Sequence, residues 1–398
     1  SNMLPGKNLR IQASHSGSLY NLFQGKVIGF KVEPGFTGRK TLVDARDSMG
    51  RVNNTSISTS LFINTNPASL FCAVMSQSNV NSFSADVLFD NVPFAWYRDV
   101  QAGTALADIV GLGAYYLYED PGGTIQLRNR HFGLFASSVG TYASVGSDGF
   151  FGLEYALDED LILNRAKIAG TPRAAATSQS TLAWLVEKPS IPASAGIGFW
   201  LAYVDPAEPT QFSPAMSLQV PVQSTDWTLN TAADGTGTDR TATGSLRIGM
   251  FGEAAVCSLY NGSANTVFVT KFQLRGFSVQ QKPAISVQTD ATSSQLAYGR
   301  RDFTLTNDFI GIQNYAESYA SHILGEHSEP APEIRVSLKN RWPDTLGIDL
   351  GNTLSLIDSY TAVNSQWTVQ TLEHDVSLAS GLEHVTTYGV RFYNDKPW

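Results

Sequence analysis

Cysteine is almost missing. Cys72 and Cys257 are the only two in 398 residues, they lie far apart, and neither sits at a metal-ligand spacing. That excludes a disulfide framework and a cysteine-based zinc site, and it reads as two buried thiols in a chain folded in a reducing cytoplasm. Long apolar runs are missing too. No stretch approaches the roughly eighteen residues of a membrane-spanning helix, and the start lacks the charged segment and apolar core of a signal peptide. Charge is sparse at 16 %, and 27 basic against 35 acidic residues leave a net −8. Such a balance argues against a dedicated surface for duplex DNA or anionic membranes, since both need clustered Lys and Arg. No sequence-specific nucleic-acid binding is expected. Ser1-Asn2 reads as the remnant of a cleaved tag and is set aside.

What is present is globular: 42 % hydrophobic residues, on a length that suggests two to four domains. Helix is scarce. Pro67–Ser76 has Asn66 as N-cap and proline at the first helical position. Thr104–Gly113 places Leu106, Ile109, Val110 and Gly113 on one face. Asp308–Gly325 steps Phe309, Ile312, Ala316, Tyr319 and Ile323 by three and four, with Asn307 or Asp308 as cap and Gly325 as terminator. Nearly everything else alternates with period two or is turn. Asn8–Ala13, Phe23–Val32 and Arg39–Asp47 are expected strands. Tyr115–Glu119 and Thr124–Arg128 form a hairpin about Pro121-Gly122-Gly123. Seven short strands lie between Thr181 and Arg275: Thr181–Glu187, Gly198–Val204, Ser217–Val222, Trp227–Thr231, Ser245–Met250, Ala254–Tyr260 and Thr266–Arg275. That count suggests a two-sheet sandwich. Glu333–Leu338, Thr353–Ile357, Gln366–Leu372 and His384–Phe392 read as barrel strands. Linkers are expected at Asn129–Gly146, Gly170–Ser180 and Ser328–Pro332.

Residues that carry chemistry do not gather. His322 and His327 are five apart, the wrong spacing for two imidazoles on one helical face. In Glu373-His374-Asp375 the histidine points away from both acids on a strand, and His384 is placed across the hairpin as part of a paired surface strand. Asp158-Glu159-Asp160 has the chemistry of a calcium loop or a glycosidase pair, but it lacks the glycine-punctuated ligand alternation and reads as an exposed turn. Gly111-Leu112-Gly113 belongs to a helix end. Serines beside Gly140, Gly146 and Gly149 form no nucleophile elbow. No catalytic residue, cofactor or metal is expected. Trp184, Phe199, Trp200, Tyr203 and Trp227 concentrate aromatics in the sandwich. They read mainly as core, with Trp200 and Trp227 the candidates for stacking on a sugar.

The span Val145 to Phe392 reads as a frame around that sandwich. Its front edge is Phe151–Ala169, two strands joined by the acidic turn. Its back edge is Ser294–Leu324, followed by an all-strand tail holding Asp349–Ile357. Several stretches in this order resemble the tail or baseplate hub proteins of tailed bacteriophages and prophages. They are Leu4–Ile11, Leu22–Val27, Asp44–Asp47 with Gly50-Arg51, Thr104–Arg130, Ile162–Arg165, Leu274–Gly276, Tyr298–Arg301, and Leu350–Asn352 with the closing hairpin.

The resemblance implies a mainly β fold of tandem hub β-barrel-like domains, with a small α/β element and an inserted β-sandwich. The divisions it implies are 1–57 for a first barrel, 58–132 for the α/β element, 133–178 with 280–332 for a central segment, 179–279 for the insert and 333–398 for a second barrel. Relatives carry further strands before the Pro-Gly turn, so the first barrel is expected to be incomplete or the chain truncated. The implied function is a structural hub or tip protein of the virion tail, assembled in the host cytoplasm. It forms a homotrimer and joins the tail tube and distal tail proteins to a tip spike or fibre. A carbohydrate-binding tail protein, its insert gripping host-surface glycans, is the alternative.

Overall fold

The computed structural model describes residues 4–35, 38–88, 91–130, 138–143, 151–341, 344–377 and 383–392. Ser1-Asn2, Val145, Gly146 and Gly149 lie outside the described residues. The fold is mainly β, with several sheets including a half-barrel.

The chain opens with an antiparallel sheet of three strands, β1 (Asn8–His15), β2 (Ser18–Gly35) and β3 (Gly38–Arg46), in that order. β1 and β2 are joined through Ser16 and Gly17, both at positive φ (50° and 85°). Two successive left-handed residues make the type I′ turn whose twist matches a right-twisted hairpin. Bulges at Ile11/Gln12 and Val27/Gly29 interrupt the two registers.

Five helices follow in chain order among the described residues: α1 (Met49–Val52), α2 (Pro67–Gln77), α3 (Ala102–Gly113), α4 (Thr292–Tyr298) and α5 (Gln313–His327). α2 starts as expected: Asn66 accepts a hydrogen bond from Ala68 N at 2.9 Å with proline in the first turn. α5 begins later than the periodicity predicts. Asn307 caps only a single turn, accepting from Phe309 N through its side chain (2.9 Å) and from Ile310 N through its carbonyl (3.1 Å). Phe309 is buried there against Tyr97, and Ile312 is extended (φ −129°) before the helix starts. Gly325 lies inside the helix, which runs on to His327.

One core takes in α2, α3, α5 and the strands around them: Phe71, Met75, Ile109, Ile125, Leu127, Ile168, Ala320 and Ile323 belong to it. The Pro121-Gly122-Gly123 hairpin forms as read, pairing Tyr116–Glu119 with Ile125–Arg128. Strand Arg165–Gly170 sits between Ile285–Asp290 and Asp302–Asn307. α5 packs on this three-stranded sheet.

The insert has its own core, with Leu182, Tyr203, Trp227, Leu229, Cys257, Phe272 and Leu274 inside. One of its sheets is organised by the long strand Val267–Gln281, which pairs in turn with Arg173–Ala175, Ser180–Trp184, Ser190–Ile191, Ala215–Met216 and Trp227–Asn230. The other sheet orders Gly196–Ala202, Ala254–Asn261 and Gly244–Met250. The strand expected at Ser217–Val222 stops at Met216, because Ser217 takes a left-handed conformation (φ 50°) that ends the ladder.

The last sheet is the half-barrel, in the order Ser138–Ala143, Thr353–Asp358, Val363–Ser377, Glu383–Arg391, Glu333–Lys339, Gly152–Ala156. Both of its edges come from upstream of the insert. Ser138–Ala143 lies within the expected linker Asn129–Gly146, and its backbone pairs in parallel with Thr353–Asp358. The front edge of the frame divides as well. Gly152–Ala156 joins the half-barrel while Arg165–Gly170 joins the central sheet, and the acidic turn crosses between them.

Candidate functional site

The frame is held at Asn164, whose side chain is fully buried. Its Oδ1 accepts from Arg301 N (2.7 Å), and its Nδ2 donates to the Gly299 carbonyl (2.7 Å) and the Ser294 hydroxyl (3.3 Å). Its backbone carbonyl accepts from Ala291 N (3.0 Å) and from the Gln295 amide (2.9 Å). One side chain thus joins front and back edges by groups that have no water to replace them.

The acids and histidines singled out in the sequence pair with neighbouring side chains. Asp160 and Glu159 receive the Arg301 guanidinium at 3.0 and 3.2 Å and stay exposed. His322 faces Glu326 at 3.6 Å. His327 sits against Arg391 at 3.0 Å, and burial followed by that positive neighbour pushes it down to about 4.

Glu373 faces Arg335 (3.6 Å) while His374 turns to the opposite side. There its Nδ1 lies 3.0 Å from Nε2 of His384, with the rings stacked and Thr386 Oγ1 within 3.3 Å of both. The pair was expected on a surface strand, yet His384 is only 2 % exposed. Desolvation, then His384, pushes His374 down to about 4, and desolvation lowers His384 as well. Among the described residues no group of three or more His, Cys, Asp and Glu is placed to hold a metal ion.

The β1–β3 sheet presents a different kind of site. The registers Ile11↔Phe23, Val27↔Ala45, Phe30↔Val43 and Val32↔Thr41 line up Leu9, Ile11, Phe23, Val27, Phe30, Val32, Val43 and Ala45 on one face. Only Val27 is buried among the described side chains of this sheet, and Ile11, Phe30 and Val32 are 48, 44 and 48 % exposed. Beside it, a cleft of about 370 Å³ is lined by Arg10, Lys26 and Arg51, with Asp47 the one acid. Residues 1–57 carry eight Lys and Arg against three Asp and Glu, a net +5, so the remaining residues carry −13 of the chain's −8.

In the insert, the two candidate sugar-stacking tryptophans separate. Trp227 is 3 % exposed inside the core and presents no ring face to a ligand. Trp200 is 64 % exposed and stacks on Phe251, ring centroids 5.4 Å apart. Of the other aromatics, Tyr203 is buried, Phe199 packs edge-on against Phe272, and Trp184 is half exposed.

No family model matches the sequence, and no curated protein matches it. The fold does have counterparts. The 43 kDa tail protein of prophage MuSo2 from Shewanella oneidensis superposes with a TM-score of 0.51 at 10 % identity, covering 98 % of this chain and 83 % of that one. The tail protein from Neisseria meningitidis MC58 superposes with a TM-score of 0.52 at 7 % identity, covering 98 % and 89 %. The chain therefore has the fold of prophage tail proteins over nearly its whole length.

Proposed function

We propose that the chain is a structural rather than catalytic component of a phage tail, a hub or tip protein that forms a homotrimer between the tail tube and a distal spike or fibre. The observation that carries the reading is the β1–β3 sheet. A three-stranded sheet with one buried side chain among those described has no core of its own, and an exposed apolar strand surface is an association site unless something covers it. In a ring of identical subunits, a neighbouring copy covers it. The split of charge supports the same arrangement, because a +5 segment is drawn to the −13 remainder of the next subunit.

The test is mass by light scattering at micromolar concentrations, with electron microscopy of the same sample. A trimer forming rings is expected, its charge-driven contribution weakening as salt rises past about 0.5 M, where the screening length falls to a few ångströms, while the apolar contact persists. The paired substitution Phe30→Glu with Val32→Glu should give folded monomers. A monomeric parent protein, or a trimer indifferent to that pair, overturns the reading.

A further inference from the structure

We propose that the outer face of the insert's three-stranded sheet, Gly196–Ala202, Ala254–Asn261 and Gly244–Met250, binds an acidic glycan. The proposal concerns the insert alone and holds whether or not the chain forms a ring.

The registers arrange this face in three rows. Trp200 pairs with Val256 and that with Gly249; Gly198 pairs with Ser258 and that with Arg247; Gly196 pairs with Tyr260 and that with Ser245. Strand geometry puts successive rows about 7 Å apart, so Trp200 and Tyr260 stand about 14 Å apart along the strands. Both rings are exposed, at 64 and 44 %. Between them glycine and serine leave a notch floored by backbone. A Cβ at Gly198 would find only the Cys257 carbonyl, 3.9 Å away. Two exposed aromatics flanking a shallow, hydroxyl-lined notch suit pyranose rings, whose C–H faces lie on aromatic faces while their hydroxyls need polar partners. A protein partner would instead favour a continuous apolar core at the centre of its contact.

The charge on this face names the ligand class further. Arg247 is the only charged residue in the three strands, and it sits in the middle row, exposed. Neither its guanidinium nor the hydroxyls of Ser245, Ser258 and Tyr260 bond to any described residue. In a chain of net −8, one uncommitted guanidinium on a carboxylate-free sheet is complementary to a sugar carboxylate or phosphate, which it grips in bidentate fashion.

The test is the full-length protein on an array of sialylated, uronic-acid and phosphorylated oligosaccharides beside their neutral counterparts. Binding is expected to the acidic members. Arg247→Gln should weaken it at least tenfold and erase the acidic preference, and Trp200→Ala should weaken it at least tenfold for every ligand. Gly198→Val fills the notch at a position with room for its Cβ, so it should abolish binding while the melting temperature holds. Silence of the acidic members, equal binding to neutral ones, binding that survives Trp200→Ala and Gly198→Val, or a signal only from single-stranded DNA or peptide controls would each overturn the proposal.

Discussion

Asn164 and the His374–His384 pair show how much single side chains decide here. Alanine at position 164 strands the Arg301 amide and the Gly299 carbonyl without partners, and leaving buried groups unpaired costs about 1–3 kcal/mol. Denaturant unfolding followed by tryptophan fluorescence should register that loss for Asn164→Ala, and an unchanged midpoint would mean the two edges are held elsewhere. The histidines predict a pH response whose sign is set by their lowered values. Unfolded histidine protonates near 6.5, whereas folded His374 and His327 resist until about 4. Below about 6.5 the unfolded chain therefore binds more protons, so stability is full above that pH and declines as pH falls toward about 4. Melting temperatures between pH 7.5 and 4.5 should fall accordingly, and His374→Gln should flatten the slope.

Sequence reading recognised the aromatic concentration in the insert but not its sorting. Phe199 and Trp200 are consecutive, so on a strand one must face in and the other out, and composition does not say which. Gly198, Arg247 and Tyr260 were unremarkable for a related reason. Arg247 and Tyr260 meet across one hairpin, and Gly198 joins them only through the register of a strand some fifty residues away.

Strands and helices were legible where their signals are local. The α2 cap and the Pro-Gly-Gly hairpin depend on neighbours in sequence, and both form as read. Ser138–Ala143 falls in an expected linker because the glycines and serines around it mask a short strand of Val139, Thr141 and Tyr142, whose pairing partner lies far off at Thr353–Asp358. α5 shifted because Asn307 serves a buried turn rather than the helix. At the first hairpin, Gly17 holds φ +85° in open space, so a side chain there meets no clash and only the backbone cost remains. Gly17→Val should lower stability by about 1–2 kcal/mol. Light scattering on the same variant should show weakened self-association, because β1 and β2 lose their common twist.

Across the full chain, the insert enters and leaves at adjacent points. Gly170 stands directly opposite Ile285 in the central sheet. Replacing residues 173–281 with a short flexible linker should therefore leave a folded protein whose circular dichroism and cooperative melting persist. Such a protein should still self-associate while acidic-glycan binding disappears. Contacts such as Gly252 N to the Thr59 carbonyl (2.9 Å) and Arg98 to Glu253 (3.5 Å) would be lost. The first is a buried hydrogen bond whose Thr59 carbonyl the deletion opens to water, and the second is a partly exposed ion pair, each worth about 1 kcal/mol.

The half-barrel imposes a timetable on synthesis. Its two edge strands leave the ribosome first, yet their partners begin at Thr353 and at Glu333. At about 5–20 residues per second, the roughly 200 residues between Ala143 and Thr353 take on the order of 10–40 s to appear. Throughout that interval Ser138–Ala143 and Gly152–Ala156 wait with open hydrogen-bonding edges, while the insert, whose core is built from one continuous stretch, folds ahead of them. Closure of the half-barrel is thus the late and slow event. Crowded, rapid expression is where this chain is most exposed to strand-to-strand mispairing with its own copies.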